Sequence, residues 1–116
     1  MTLLLDSPES RLGSPDNMAF DVINGGAKLI VQEDVGGDSR LSKVWEYDIA
    51  TGQLEEIVQH DPAIFFDGGS SILTTNEESS GVVSLKNVLG EGWCAASIQV
   101  HSSTGLSDTT ELVEHG

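Results

Sequence analysis

Hydrophobic and polar residues alternate in short runs along this chain, and turn residues separate the runs. Lys43-Val44-Trp45-Glu46-Tyr47-Asp48-Ile49 is the clearest run. Trp45, Tyr47 and Ile49 face one way and Glu46 and Asp48 the other, the period of a half-buried strand. Asp48-Ile49-Ala50-Thr51-Gly52 makes a tight connection, with Asp48 placed to accept from the backbone near Thr51. Leu54 to Gln59 is the return strand. Upstream, Ser14-Pro15-Asp16-Asn17 forms a turn, and Met18 and Phe20 alternate with Ala19 and Asp21. Asn24-Gly25-Gly26 is a strong hairpin signal, because Asn and Gly accept positive φ. The partner strand runs apolar through Leu29-Ile30-Val31 to Gln32-Glu33-Asp34, and Gly36-Gly37 ends it.

Strands near 18–22, 28–33, 43–49 and 54–59 give four antiparallel pieces in succession. That rhythm matches a β-propeller blade, and a plain four-stranded meander matches it equally. After His60-Asp61-Pro62, read as a turn, the pattern partly restarts. Ala63-Ile64-Phe65-Phe66 leads into Asp67-Gly68-Gly69, and Ser70 to Thr75 predicts a strand. Asn76-Glu77-Glu78-Ser79-Ser80-Gly81 is expected as a polar acidic loop. Ser84 is placed to cap a short helical turn over Leu85 to Leu89. Trp93 to His101 predicts an apolar strand, with shorter strands expected at Leu3 to Leu5 and Thr110 to Val113. The expectation is an all-β fold of antiparallel blade-like sheets with at most one helical turn. Residues 1–13 form a lead segment, 14–61 a four-stranded unit and 62–116 a second, incomplete unit, all in one compact domain.

Charge narrows the partners. The 116 residues hold 19 acidic and 5 basic side chains, a net charge of −14. Such a chain has no basic surface for phosphates, so nucleic acid is excluded, and anionic membranes with it. No run approaches the ~20 apolar residues of a membrane span. Met1-Thr2-Leu3-Leu4-Leu5 has no basic region before it, so no signal peptide is read and the chain is expected to be soluble and cytoplasmic. A longer precursor would place it in the periplasm or outside the cell. Cys94 is the single cysteine, which rules out an intrachain disulfide and a Cys-x-x-Cys motif. It is read as a small buried apolar residue.

The acidic residues carry the candidate chemistry. Hard cations prefer carboxylate and amide oxygens. Asp16, Asn17, Glu33 and Asp34 supply these if the hairpin brings its ends together; otherwise they close a turn and solvate a strand end. Glu77 and Glu78 are a second pair, able to ligate a metal or act as a base, and equally an ordinary polar loop. His101 reads either as a strand histidine or as a ligand. No Ser-His-Asp arrangement, phosphate-binding glycine loop or dinucleotide fingerprint is evident.

Three segments in series resemble the bacterial PhoX-type alkaline phosphatase family and its uncharacterised relatives. They are Ser14 to Asp21 with Gln32-Glu33-Asp34, then Asn76 to Gly81, then Leu89-Gly90-Glu91-Gly92-Trp93 leading to Ile98-Gln99-Val100-His101. The resemblance covers roughly residues 10–116 and matches the family's C-terminal portion, about a blade and a half. It implies a β-propeller fold, with calcium and possible iron bound by acidic loops and phosphomonoester hydrolysis in characterised members. The family's metal cluster draws ligands from several blades, so one copy is expected to hold only part of a metal-dependent phosphatase centre. Two further expectations stand beside it. One is a non-enzymatic assembly module that joins other blades or a second copy through open strand edges. The other is a closed β-sandwich or small barrel.

Overall fold

The hairpin at Asn24-Gly25 organises the first sheet. Both residues have positive φ, 52° and 76°, which a two-residue connection between twisted strands requires. It joins β1 (Pro15–Ile23) to β2 (Gly26–Glu33), with Ile23 opposite Gly26. Next come β3 (Lys43–Asp48) and β4 (Leu54–Gln59), giving an antiparallel sheet in the order β1-β2-β3-β4. The β3–β4 turn closes on Asp48, whose Oδ1 accepts from Ala50 N at 2.9 Å and Thr51 N at 2.8 Å. The computed structural model describes residues 11–36 and 39–101. The strands expected at Leu3 to Leu5 and Thr110 to Val113 lie outside the described residues, as does Gly37.

One face of this sheet carries the core. Leu12, Val31, Trp45, Tyr47 and Leu54 are buried together, with Leu29 and Ile49 packed against them. Register explains the cluster: Val31 faces Trp45, Leu29 faces Tyr47, and Tyr47 faces Leu54. The opposite face presents Ile30, Gln32 and Val44. A second, two-stranded sheet pairs β5 (Glu77–Ser84) with β6 (Cys94–Val100). Two short helices complete the described elements, α1 (Pro62–Phe65) and α2 (Lys86–Leu89).

Side chains and one bridge join the sheets. Gln32, fully buried, accepts from Val82 N at 2.8 Å and donates to the Ser80 carbonyl at 3.3 Å. Ser84 donates to Asp21 at 2.7 Å. An isolated antiparallel bridge pairs Asp34 with Glu78. Among the described residues the two sheets stay separate and close no barrel, and β4 and β6 each end a sheet.

Four expectations are corrected. The segment 76–81 is not a loop, because Glu77 to Gly81 lie in β5; its inward positions Glu77 and Ser79 are polar but buried, so no apolar alternation marks the strand. Ser70 to Thr75 is not a strand: Ser71 N and Leu73 N donate back to the Ala63 and Ile64 carbonyls, so the segment folds against α1 instead of joining a ladder. Among the described residues the helical turns number two, because Asp61 caps α1 by accepting from Ala63 N at 2.8 Å with Pro62 in the first turn. Finally, His60 is no exposed turn residue; it is buried at the end of β4, its backbone N–H bonded to the Ser42 carbonyl.

Candidate functional site

Four chain segments converge at one end of the sheets. Pro15 pairs with Glu33, so the entry to β1 lies beside the exit of β2. The Asp34–Glu78 bridge adds the start of β5, and the Glu78–Gln99 pair brings in the end of β6. This topology gathers Asp16, Asn17, Asp34 and Glu78, with His101 and Asn76 at the border. Asn17 Nδ2 donates to Asp16 Oδ2 and reaches Ser80 Oγ at 3.5 Å. Asp34 Oδ1 accepts from Gly36 N at 3.1 Å, and Asn76 Oδ1 occupies the space that a Cβ on Gly36 would need. His101 Nε2 stands 3.7 Å from Glu78 Oε2.

The electrostatics of this end are unfavourable for anions. Burial pushes the Glu78 carboxyl above its usual range. The Asp34 carboxylate beside it raises it further and Asp16 adds to the effect, while His101 opposes them. The donors are carboxylate and amide oxygens, the set that calcium takes; iron would have the single imidazole of His101. Among the described residues no group of three or more His, Cys, Asp or Glu side chains is closed tightly enough to hold a metal ion.

Glu33 and Glu77 go elsewhere. Glu33 shares the inward face of Leu29 and Val31 and is fully buried. Its Oε1 accepts from Gly13 N at 2.8 Å and Arg40 Nη2 at 2.5 Å, and its Oε2 from Lys43 N at 3.2 Å. It ties the lead into β1 to the lead into β3. Glu77 is buried too, its Oε1 accepting from Ser42 N at 3.1 Å. The structure thus gathers four of the six sequence candidates and gives the other two to buried polar networks.

Sequence reasoning misses a further constellation. His60 Nε2 is 2.9 Å from Ser79 Oγ, and His60 Nδ1 is 3.5 Å from Glu77 Oε1. The three residues come from the end of β4 and from β5. Burial holds the His60 imidazole below its usual pKa, while the Glu77 carboxylate pulls the other way. His60 and Ser79 line an open groove of about 270 Å³ between the two sheets, walled chiefly by Ile30, Val44, Val58 and Ile98. The Glu77-x-Ser79 spacing is the available signal, since it puts both side chains on one face of a strand.

No protein-family model, curated protein or solved structure matches this chain. Its class follows from its own geometry: all-β, with two antiparallel sheets among the described residues and an acidic end. Among the described residues no helix is long and apolar enough to cross a membrane.

Proposed function

We propose that this chain is a PhoX-like, propeller-type β segment that binds calcium at its acidic end and carries no complete phosphatase centre by itself. The observation that supports this reading is the convergence of Asp16, Asp34 and Glu78 from three segments, where the Glu78 carboxyl is raised first by burial and then by repulsion from the Asp34 and Asp16 carboxylates. A hard cation converts that repulsion into attraction, and Asn17 and Asn76 add neutral oxygens of the kind calcium accepts. A bound cation would also supply a Lewis acid for a phosphate oxygen, which an acidic chain otherwise repels. In this reading the remaining ligands of a phosphomonoesterase come from neighbouring blades. Isothermal titration of calcium into the protein tests it. The expected result is saturable binding lost in the Asp34→Asn/Glu78→Gln double variant; heats equal to dilution would overturn it.

The open edge of β4 favours a second reading, that of an assembly module. Ile57 and Val58 are about half exposed on a strand with no outer neighbour among the described residues. Such an edge pairs with another strand, from a second copy or another blade. Sedimentation at two protein concentrations checks this: a concentration-dependent mass that collapses in Ile57→Lys supports it, and a constant monomer mass counts against it.

A further inference from the structure

We propose that Ser79, His60 and Glu77 form a second site, independent of the acidic end, in which Ser79 is a nucleophile toward neutral esters of short apolar acyl groups. Glu77 and Ser79 alternate on β5 and project to the same side. His60 meets them from the end of β4, its ring held against Phe65 with centroids 5.5 Å apart. Ser42 fixes Glu77 by donating its backbone N–H to Oε1 and its hydroxyl to the Glu77 carbonyl, each at 3.1 Å.

The tautomer follows from these neighbours. The Glu77 carboxylate, 3.5 Å from Nδ1, favours the proton on that nitrogen. Nε2 then presents its lone pair to the Ser79 hydroxyl at 2.9 Å. This is the order that nucleophilic catalysis requires: carboxylate, base, hydroxyl. Most buried polar atoms in a structural network find a hydrogen-bond partner. Here His60 Nδ1 is buried and, among the described residues, makes no hydrogen bond of ordinary geometry. It sits at the distance from which a carboxylate steadies a forming imidazolium.

The groove sets the substrate class. Among the described residues its lining holds no Lys, Arg, Asp or Glu, so these offer nothing to a charged acid or phosphate. Its volume of about 270 Å³ suits a short acyl chain and falls below the size of drug-like pockets. In the reaction Ser79 Oγ attacks the ester carbonyl carbon while its proton passes to His60 Nε2. The acyl–oxygen bond breaks, and the same proton leaves with the alcohol. Water then attacks the acyl-serine, giving one proton to His60; the carboxylic acid departs and Ser79 recovers its hydrogen. No co-reactant beyond water is consumed.

The test is phosphorylation of the full chain by diisopropyl fluorophosphate, followed by intact mass and peptide mapping, with p-nitrophenyl butyrate as substrate in parallel. One adduct mapped to Ser79 is expected, slowed by excess butyrate ester. Labelling and ester turnover should fall at least ~100-fold in Ser79→Ala and His60→Gln, with circular dichroism confirming that both fold. Ser70→Ala, on an exposed segment, should label like the wild type. No adduct on the folded wild-type chain, or an adduct at another residue, would overturn the proposal. Because mapping is done on the wild type, its result decides the matter even if a variant fails to fold.

Discussion

Asp48 shows how one side chain sets a pH range for this protein. Its Oδ2 lies 2.7 Å from Lys28 Nζ, and its Oδ1 takes two backbone N–H groups of the following turn. The Lys28 ammonium, chiefly, and the Thr51 N–H hold its carboxyl down at about 2, from 3.8. A carboxyl depressed in the folded state stabilises the fold above its ordinary value, and the benefit is lost as pH falls through about 2. Asp48→Asn should therefore lower Tm at neutral pH, and the gap to wild type should close between about pH 4 and pH 2. Glu78 has the opposite sign. Its carboxyl is raised, so its charge penalises the fold increasingly as pH rises past the usual glutamate range. With EDTA present at pH 7, Glu78→Gln should leave Tm unchanged or slightly higher, as a melting scan will show. Glu33 is a third case, buried and bonded on both oxygens. Glu33→Gln should cost about 2–3 kcal/mol in urea unfolding, because Arg40 loses its charged partner and an N–H loses its acceptor.

Elements are legible in the sequence where hydrophobic alternation and turn chemistry agree. β1 to β4 follow from Asn24-Gly25, from the Asp48 to Gly52 turn and from the alternation of Trp45 and Tyr47 with Glu46 and Asp48. β5 is illegible because its inward positions are Glu77 and Ser79, which pattern reading places in water. They are buried because Ser42, His60 and Gln32 meet them or their neighbours with hydrogen bonds. α1 escapes notice although Asp61-Pro62 is a good start signal, since four residues carry too little periodicity to register. Gln32 is a staple between the sheets, its side-chain amide spanning the Ser80 carbonyl and Val82 N–H. Gln32→Leu keeps the volume but strands the Val82 N–H, so a loss of ~1–3 kcal/mol is expected in denaturant melts. A loss below that range would mean that β5 is held mainly by other contacts.

At the scale of the whole molecule, the acidic end exists only because the two sheets meet. Asp16 and Asp34 come from the first sheet and its margin, Glu78 from the second, and no sequence spacing joins them. The sequence offers the hairpin ends as a meeting point. It conceals that Glu33, at an inward position, turns into the core while Asp34, one residue on, stays exposed. The net charge of −14 makes any cation bind with some affinity, so a specific site must be separated from general screening. Thermal unfolding in EDTA, in calcium and in sodium chloride of matched ionic strength, at one protein concentration, makes that separation. Calcium at about 100 times its dissociation constant adds ~2.7 kcal/mol, a rise in Tm of roughly 10 °C for a domain of this size. A calcium site at the acidic end requires that rise in calcium, little of it in sodium chloride, and its loss in the Asp34→Asn/Glu78→Gln variant. Equal melting in all three solutions, or a calcium response undiminished in that variant, would rule the site out.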